Sequence, residues 1–171
     1  VMKAMLKVTP DLPVDLLPQR VAVGDFDTGR DLKSYPTAKL EGRRMAVLGY
    51  GNIGREVAKL ARAFGMRVAV YARPKHRQWI EAEGFDYAET PVDAATDADV
   101  LSVHIGLGRL DEATRLYANA GLIGEAVLSA MNPGAVLVNY DRGEVVEVAA
   151  LDRALASGQI RHAAIDADLF R

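Results

Sequence analysis

The sequence predicts an α/β fold in which a doubly wound parallel sheet is covered by helices on both faces. Three observations carry this. From residue 41 onward, short apolar runs alternate with stretches whose apolar residues recur every three or four positions. The runs are apolar throughout rather than alternating with polar residues, as strands buried on both faces are. The first of them leads directly into Gly49-Tyr-Gly51-Asn-Ile-Gly54. Strands alternating with amphipathic helices imply right-handed crossovers that lay helices on either side of the sheet.

The elements follow in order. Residues 1–40 carry Pro10, Pro13, Pro18 and Pro36 and little periodicity, and read as an N-terminal arm or linker. A short strand is expected at residues 21–23 and a turn at 27–29. Leu12, Val14, Leu16, Leu17, Val21 and Val23 have no complete element to bury them, so residues 10–40 are expected to pack on a second subunit of a homodimer. The second zone, residues 41–171, opens with a strand at 45–48. The next helix is expected to bury Ile53, Val57, Leu60 and Phe64, with Gly65 at its end. A strand at Arg67–Tyr71, a helix near 76–83, a short strand at 86–88 and a strand at 100–104 come next. Ile123, Val127 and Ala130 line a helix closed by Asn132-Pro-Gly134. A strand at 135–138 is followed by a helix lined by Val148, Leu151 and Leu155, which Gly158 closes. The last strand is expected at 160–165.

Composition excludes several function classes. Of 171 residues half are hydrophobic and about a quarter charged, a globular balance, and the net charge of -2 gives no general attraction to nucleic acid or an anionic membrane. There is no cysteine, which removes disulfides, thiolate metal sites and cysteine nucleophiles. No His, Asp and Glu pattern reads as a metal site. No apolar run approaches the ~20 residues that span a bilayer, and no signal-peptide pattern opens the chain, so a cytoplasmic location is the default.

The glycine loop carries the chemistry. Gly49 permits the tight turn after the strand, Gly51 lets a pyrophosphate approach the backbone, and Gly54 lets helix and strand pack closely. The free N–H groups at the helix start, around Asn52 and Ile53, then face the anionic phosphates. Three glycines at this spacing mean little alone. Between an apolar strand and an amphipathic helix they mark a Rossmann-like dinucleotide-binding domain. In such domains an acid about 20 residues past the loop binds the ribose 2′-OH of NAD. Here that position is Ala72, followed by Arg73, Lys75, His76 and Arg77. Ala72 removes the repulsion a carboxylate would exert on a 2′-phosphate, and Arg73 offers a charge-assisted, bidentate contact. NADP is therefore favoured over NAD, and a solvated basic turn in an NAD-binding protein is the alternative.

The stretches KLEGRRMAVLGYGNIGREVAKLARAFGMRV, ADVLSVHIGL and MNPGAVLVNYDRGEVVEVAALDRALASGQIRHAAID together resemble the nucleotide-binding domain of D-isomer-specific 2-hydroxyacid dehydrogenases, over about residues 39–168. The resemblance implies an oxidoreductase that passes hydride between nicotinamide and a small 2-keto or 2-hydroxy acid. It implies that Arg142 holds the substrate carboxylate and polarises the keto oxygen, that Asp166 binds the nicotinamide carboxamide, and that His104 lies near the cofactor. Three departures stand out. Ile-Gly-Leu-Gly-Arg follows His104 where the family has a proline and a threonine. Residues 115–122 look longer than usual. Tyr140-Asp141 replaces small residues before Arg142. The family's acid–base histidine and its glutamate have no counterpart in the chain, which reads as a domain of a larger enzyme. The alternative is a non-catalytic, NAD(H)-sensing binder of the same fold, as in corepressors related to this family.

Overall fold

The computed structural model describes residues 1–8, 17–25, 27 and 39–165. Six strands form one parallel sheet: β1 (Arg44–Leu48), β2 (Arg67–Tyr71), β3 (Asp86–Ala88), β4 (Val100–Val103), β5 (Ala135–Asn139) and β6 (Ile160–Ile165). Their order is β3-β2-β1-β4-β5-β6. The chain starts in the middle of the sheet, winds outward through β2 to β3, returns to place β4 beside β1, and winds outward again. The reversal between β1 and β4 opens a crevice at the carboxyl ends of the strands, where folds of this kind bind ligands. In register, Leu48 lies opposite both Tyr71 and Val103, and Val103 lies opposite Asn139. The four strand ends therefore finish level with one another.

Two apolar layers flank the sheet, because successive side chains of a strand point to opposite faces. Met45 and Val47 of β1 join Val68, Val70, Val136 and Val138 on one face. Ala46 and Leu48 join Leu101, Val103 and Leu137 on the other. The first face is covered by α1 (Met2–Val8), α3 (Asn52–Ala63) and α4 (Arg77–Ala82), and the second by α5 (Pro91–Ala95), α6 (Glu125–Ala130) and α7 (Val148–Ala156). Among the described residues no helix is long and apolar enough to cross a membrane.

The six strands of the sheet lie where the sequence places them, but the buried faces of two helices do not. In α3 the residues turned to the sheet are Gly54, Val57, Ala58 and Ala61. Ile53, Leu60 and Phe64, expected inside, are 66 %, 47 % and 44 % exposed. The helix packs close to β1 and β2, and only small side chains fit the seam. In α7, Leu151 is buried as expected together with Ala150 and Ala154, while Val148 and Leu155 are exposed. Helix α5 has no counterpart among the expected elements. Its start is nevertheless written in the sequence as Thr90-Pro-Val-Asp93, a capping box in which the Thr90 hydroxyl accepts the Asp93 N–H and the Asp93 carboxylate accepts the Thr90 N–H.

The first residues also differ from the expected arm. Residues 1–8 group with the sheet domain, and Met5 of α1 is fully buried against the face formed by β5 and β6. Thr9–Lys39 form a separate unit. Within it, α2 (Leu17–Ala22) replaces the expected strand at 21–23, and an Arg20–Asp25 ion pair of 3.3 Å follows the helix. Residues 28 and 29 of the expected turn lie outside the described residues.

The seam of α3 generates a prediction. Ala58→Leu is expected to destabilise the fold by about 1–3 kcal/mol through overpacking. Leu60→Ala on the outer face is expected to change stability by under about 1 kcal/mol. Urea unfolding of the two variants measures both, and the reverse ranking would reject the seam.

Candidate functional site

The site begins with three backbones brought unusually close. Gly49 has φ of 102°, a conformation that L side chains rarely adopt, and a Cβ there would stand 2.1 Å from the carbonyl oxygen of His104. A Cβ on Gly54 would stand 2.1 Å from the carbonyl oxygen of Gly49. Hydrogen bonds hold the approach: the Gly49 N–H donates to the Tyr71 carbonyl (2.8 Å) and the His104 N–H to the Leu48 carbonyl (2.7 Å). Gly51 differs. A Cβ there meets nothing within 4 Å, so the space above it is open. It caps α3 with no side-chain hydrogen bond, which leaves the N–H groups of Asn52, Ile53 and Gly54 without an intrahelical acceptor. An open approach, free donors and the positive end of a 12-residue helix fit a pyrophosphate.

A cavity of about 490 Å³ lies over this loop, within the range of small-molecule sites. Its walls are the glycine loop, the end of β2 at Tyr71, Ala72 and Arg73, and the chain after β4 at His104, Ile105 and Gly106. The structure thus brings together Gly49, Gly51, Ala72, Arg73 and His104 of the expected residues. Gly54 lies beneath the loop, and Asn52 and Ile53 form the first turn of α3. Lys75 sits in the short 3₁₀ turn Pro74–His76 outside the wall. Asp166 lies outside the described residues.

The cations after β2 divide into two groups. Arg77 is occupied: it binds Glu81 at 2.8 Å and Glu89 at 3.2 Å, and lies over the Tyr87 ring. Arg73 and Lys75 have no ion-pair partner among the described residues. His76 also lines the cavity, and its imidazole is pushed below the ordinary range by burial, then by the charges of Arg73 and Lys75. Ala72 is buried, and the Tyr87 hydroxyl donates to its carbonyl at 3.2 Å, fixing the end of β2.

Arg142 stands at the same carboxyl edge of the sheet, after β5, but outside the cavity wall. Asn139 shapes its turn. Its buried amide donates to the Arg142 carbonyl and accepts from the Asp141 N–H, both at 3.0 Å. The guanidinium is exposed, and among the described residues neither Asp141 nor any other carboxylate pairs with it.

Sequence reasoning missed several wall residues. Tyr50 and Tyr71 flank known positions, so the motif itself was the signal. Asn119 had none. It reaches the wall because residues 107–119 fold back as a hairpin, with Asn119 N–H donating to the Leu107 carbonyl (3.0 Å) and its side-chain amide to the Gly106 carbonyl (2.7 Å). Leu110 and Tyr117 bridge, and Asp111 turns the tip by accepting the N–H groups of Ala113 and Thr114. Residues 115–119, within the segment expected to be longer than usual, form the returning limb of this hairpin.

A Rossmann dinucleotide-binding domain is the class that this order of strands and this loop define. Residues 14–168 match the family described as D-isomer specific 2-hydroxyacid dehydrogenase, NAD binding domain, and the chain belongs to that family. A glyoxylate reductase of Aeropyrum pernix is 38% identical over 128 residues, which cover 75% of this chain and 36% of the relative. A D-3-phosphoglycerate dehydrogenase of Methanocaldococcus jannaschii is 32% identical over 136 residues, covering 80% and 24%. A solved formate dehydrogenase of Granulicella superposes with a TM-score of 0.73 at 26% identity, covering 96% of this chain and 41% of that one. The chain thus spans about a quarter to two fifths of these relatives. The family supports use of NAD(H) or NADP(H).

Two predictions test the geometry. Gly54→Ala is expected to cost at least about 1–3 kcal/mol, because its methyl meets a backbone oxygen. Gly51→Ala is expected to cost no more than ~1 kcal/mol, the difference between glycine and alanine as caps. Thermal unfolding distinguishes them, and equal losses would refute the assignment of the two glycines.

The second concerns His104. Burial pushes its imidazole down to about 4, and its Nε2 lies 2.8 Å from the Oγ of the fully buried Ser102. The folded protein resists protonation that the unfolded chain accepts near 6.5. Stability from this group is therefore complete above about pH 6.5 and declines as pH falls toward 4, by roughly 2–3 kcal/mol. His104→Gln should flatten the stability profile in that window. Identical profiles for the two proteins would contradict it.

Proposed function

We propose that this chain is the cofactor-binding domain of an oxidoreductase that passes hydride between nicotinamide and C2 of a small 2-keto or 2-hydroxy acid. The observation that carries the reading is the open backbone at Gly51 over an uncapped helix start, in one cavity with Ala72, Arg73 and His104. Those N–H groups bind the pyrophosphate, and the cofactor supplies the hydride chemistry. Arg142 grips the substrate carboxylate and stabilises the oxygen that becomes anionic. Its exposed guanidinium without an ion-pair partner among the described residues supports that role. Asp166 holds the nicotinamide carboxamide, and the proton moves through a histidine supplied outside this domain.

NADP(H) is the preferred cofactor. Ala72 presents no carboxylate, Arg73 is at the cavity wall without an ion pair among the described residues, and Lys75 is one turn away. Residues 10–40 serve as an arm between two subunits, a reading supported by the separation of Thr9–Lys39 as a unit and by the exposed Val21 and Val23 of that segment.

The test is calorimetric. The protein is expected to bind NADPH more tightly than NADH, and Gly51→Val to bind neither while its circular dichroism is unchanged, because the added side chain fills the pyrophosphate position. Arg73→Ala is expected to weaken NADPH by about 1.5–3 kcal/mol and to leave NADH nearly unchanged. Equal losses would overturn the 2′-phosphate role, and full binding by Gly51→Val would overturn the site. Oxidation of NADPH by glyoxylate or hydroxypyruvate, followed by absorbance with the substrate lobe present, tests the reaction. It should vanish in Arg142→Ala.

A further inference from the structure

Tyr50, between the first two glycines, has a place in the fold that the binding of a dinucleotide does not require. It is only 8 % exposed. Its hydroxyl donates to Oε2 of Glu83 at 2.6 Å, and its ring meets Phe85 edge-on, with centroids 6.3 Å apart. The other oxygen of Glu83 accepts from the guanidinium of Arg55, in the second turn of α3. Glu83 itself is the residue that closes α4, and its backbone carbonyl accepts from Arg62. One carboxylate of the second βα unit thus holds the glycine loop from both sides. Tyr50 precedes, and Arg55 follows, residues 51–54, which hold the open backbone at Gly51 and the helix-start N–H groups without an intrahelical acceptor.

Packing fixes Gly49 and Gly54 at the ends of the loop, but it leaves Gly51 between them in open space. Behind Gly51 and Asn52, between α3 and α4, lies a second cavity of about 490 Å³, bounded by Trp79, Ala82 and the clamp itself. The loop has open space on both sides, so its direction depends on the side-chain bonds that span the gap. The clamp is charged across the working pH range, since the hydrogen bonds from Arg55 and Tyr50 hold the Glu83 carboxyl at about 2.

We infer that Glu83 is a positioning residue that, through Tyr50 and Arg55, aims the helix-start N–H groups of residues 52–54 at the cofactor pyrophosphate. This rests on the cofactor reading given above. A residue that only stabilised the fold would affect every ligand of the cavity alike. A residue that aims the loop affects those that carry the pyrophosphate.

The experiment compares ADP-ribose with adenosine by calorimetry on the wild-type protein, Glu83→Gln and Tyr50→Phe. Both variants are expected to bind ADP-ribose about tenfold more weakly, the effect of one lost hydrogen bond of this kind, and adenosine within about twofold of wild type. Tyr50→Phe keeps the Arg55–Glu83 pair and the ring packing, so it serves where Glu83→Gln fails to fold. Equal losses for the two ligands, or no loss for either, would overturn the clamp while wild-type binding of ADP-ribose upheld the cofactor site. Failure of the wild-type protein to bind ADP-ribose would overturn both.

Discussion

The His104 carbonyl, the Gly49 backbone and the Gly54 backbone are stacked so closely that no Cβ fits at either glycine. This contact fixes the distance between α3 and the sheet, and so decides which side of the helix can carry large residues. It also fixes the crevice. Because β1 and β4 end level, and the chain after β4 is held against Gly49, the first strand's turn and the fourth strand's exit become opposite walls of one cavity. Space is denied at Gly49 and Gly54 and left at Gly51, so three residues of one type perform opposite tasks. Added methyl groups would be refused twice by protein and once, on the cofactor reading, by ligand.

Legibility followed the same physics. The central strands were readable because a parallel sheet buried on both faces demands unbroken apolar runs, whereas the short run at residues 21–23 belongs to a helix and its turn. The glycine loop was readable because its context, strand before and helix after, is local. The buried face of α3 was not. Large apolar residues at helical spacing ordinarily mark the core, but at a close helix–strand seam alanine and glycine take that side and Ile53, Leu60 and Phe64 turn outward. Helix α1 was hidden for another reason: seven residues carry too little periodicity, and its burial of Met5 depends on a sheet face formed more than a hundred residues later. In the site, Ala72 and Arg73 follow from counting along the chain. Asn119 and Glu83 come from distant loops and helix ends, which no count reaches.

The charges near the cavity are sorted rather than massed. Arg77 is absorbed by Glu81 and Glu89, and Arg55 by Glu83, so neither adds to the field at the end of β2. What remains there is Arg73 at the wall, with Lys75 beyond it. A run of neighbouring basic residues is in three dimensions one arginine at the cavity wall with a lysine beyond it.

The hairpin of residues 107–119 closes its own backbone hydrogen bonds, from Leu107–Asn119 at the base to the Asp111 turn at the tip. Strain at its tip ends at its base and does not enter the strands. Such an element can be lengthened, shortened or exchanged over evolutionary time without renegotiating the core. Only its two ends touch the cavity, so the rim of the site is free to diverge among relatives whose sheets remain superposable.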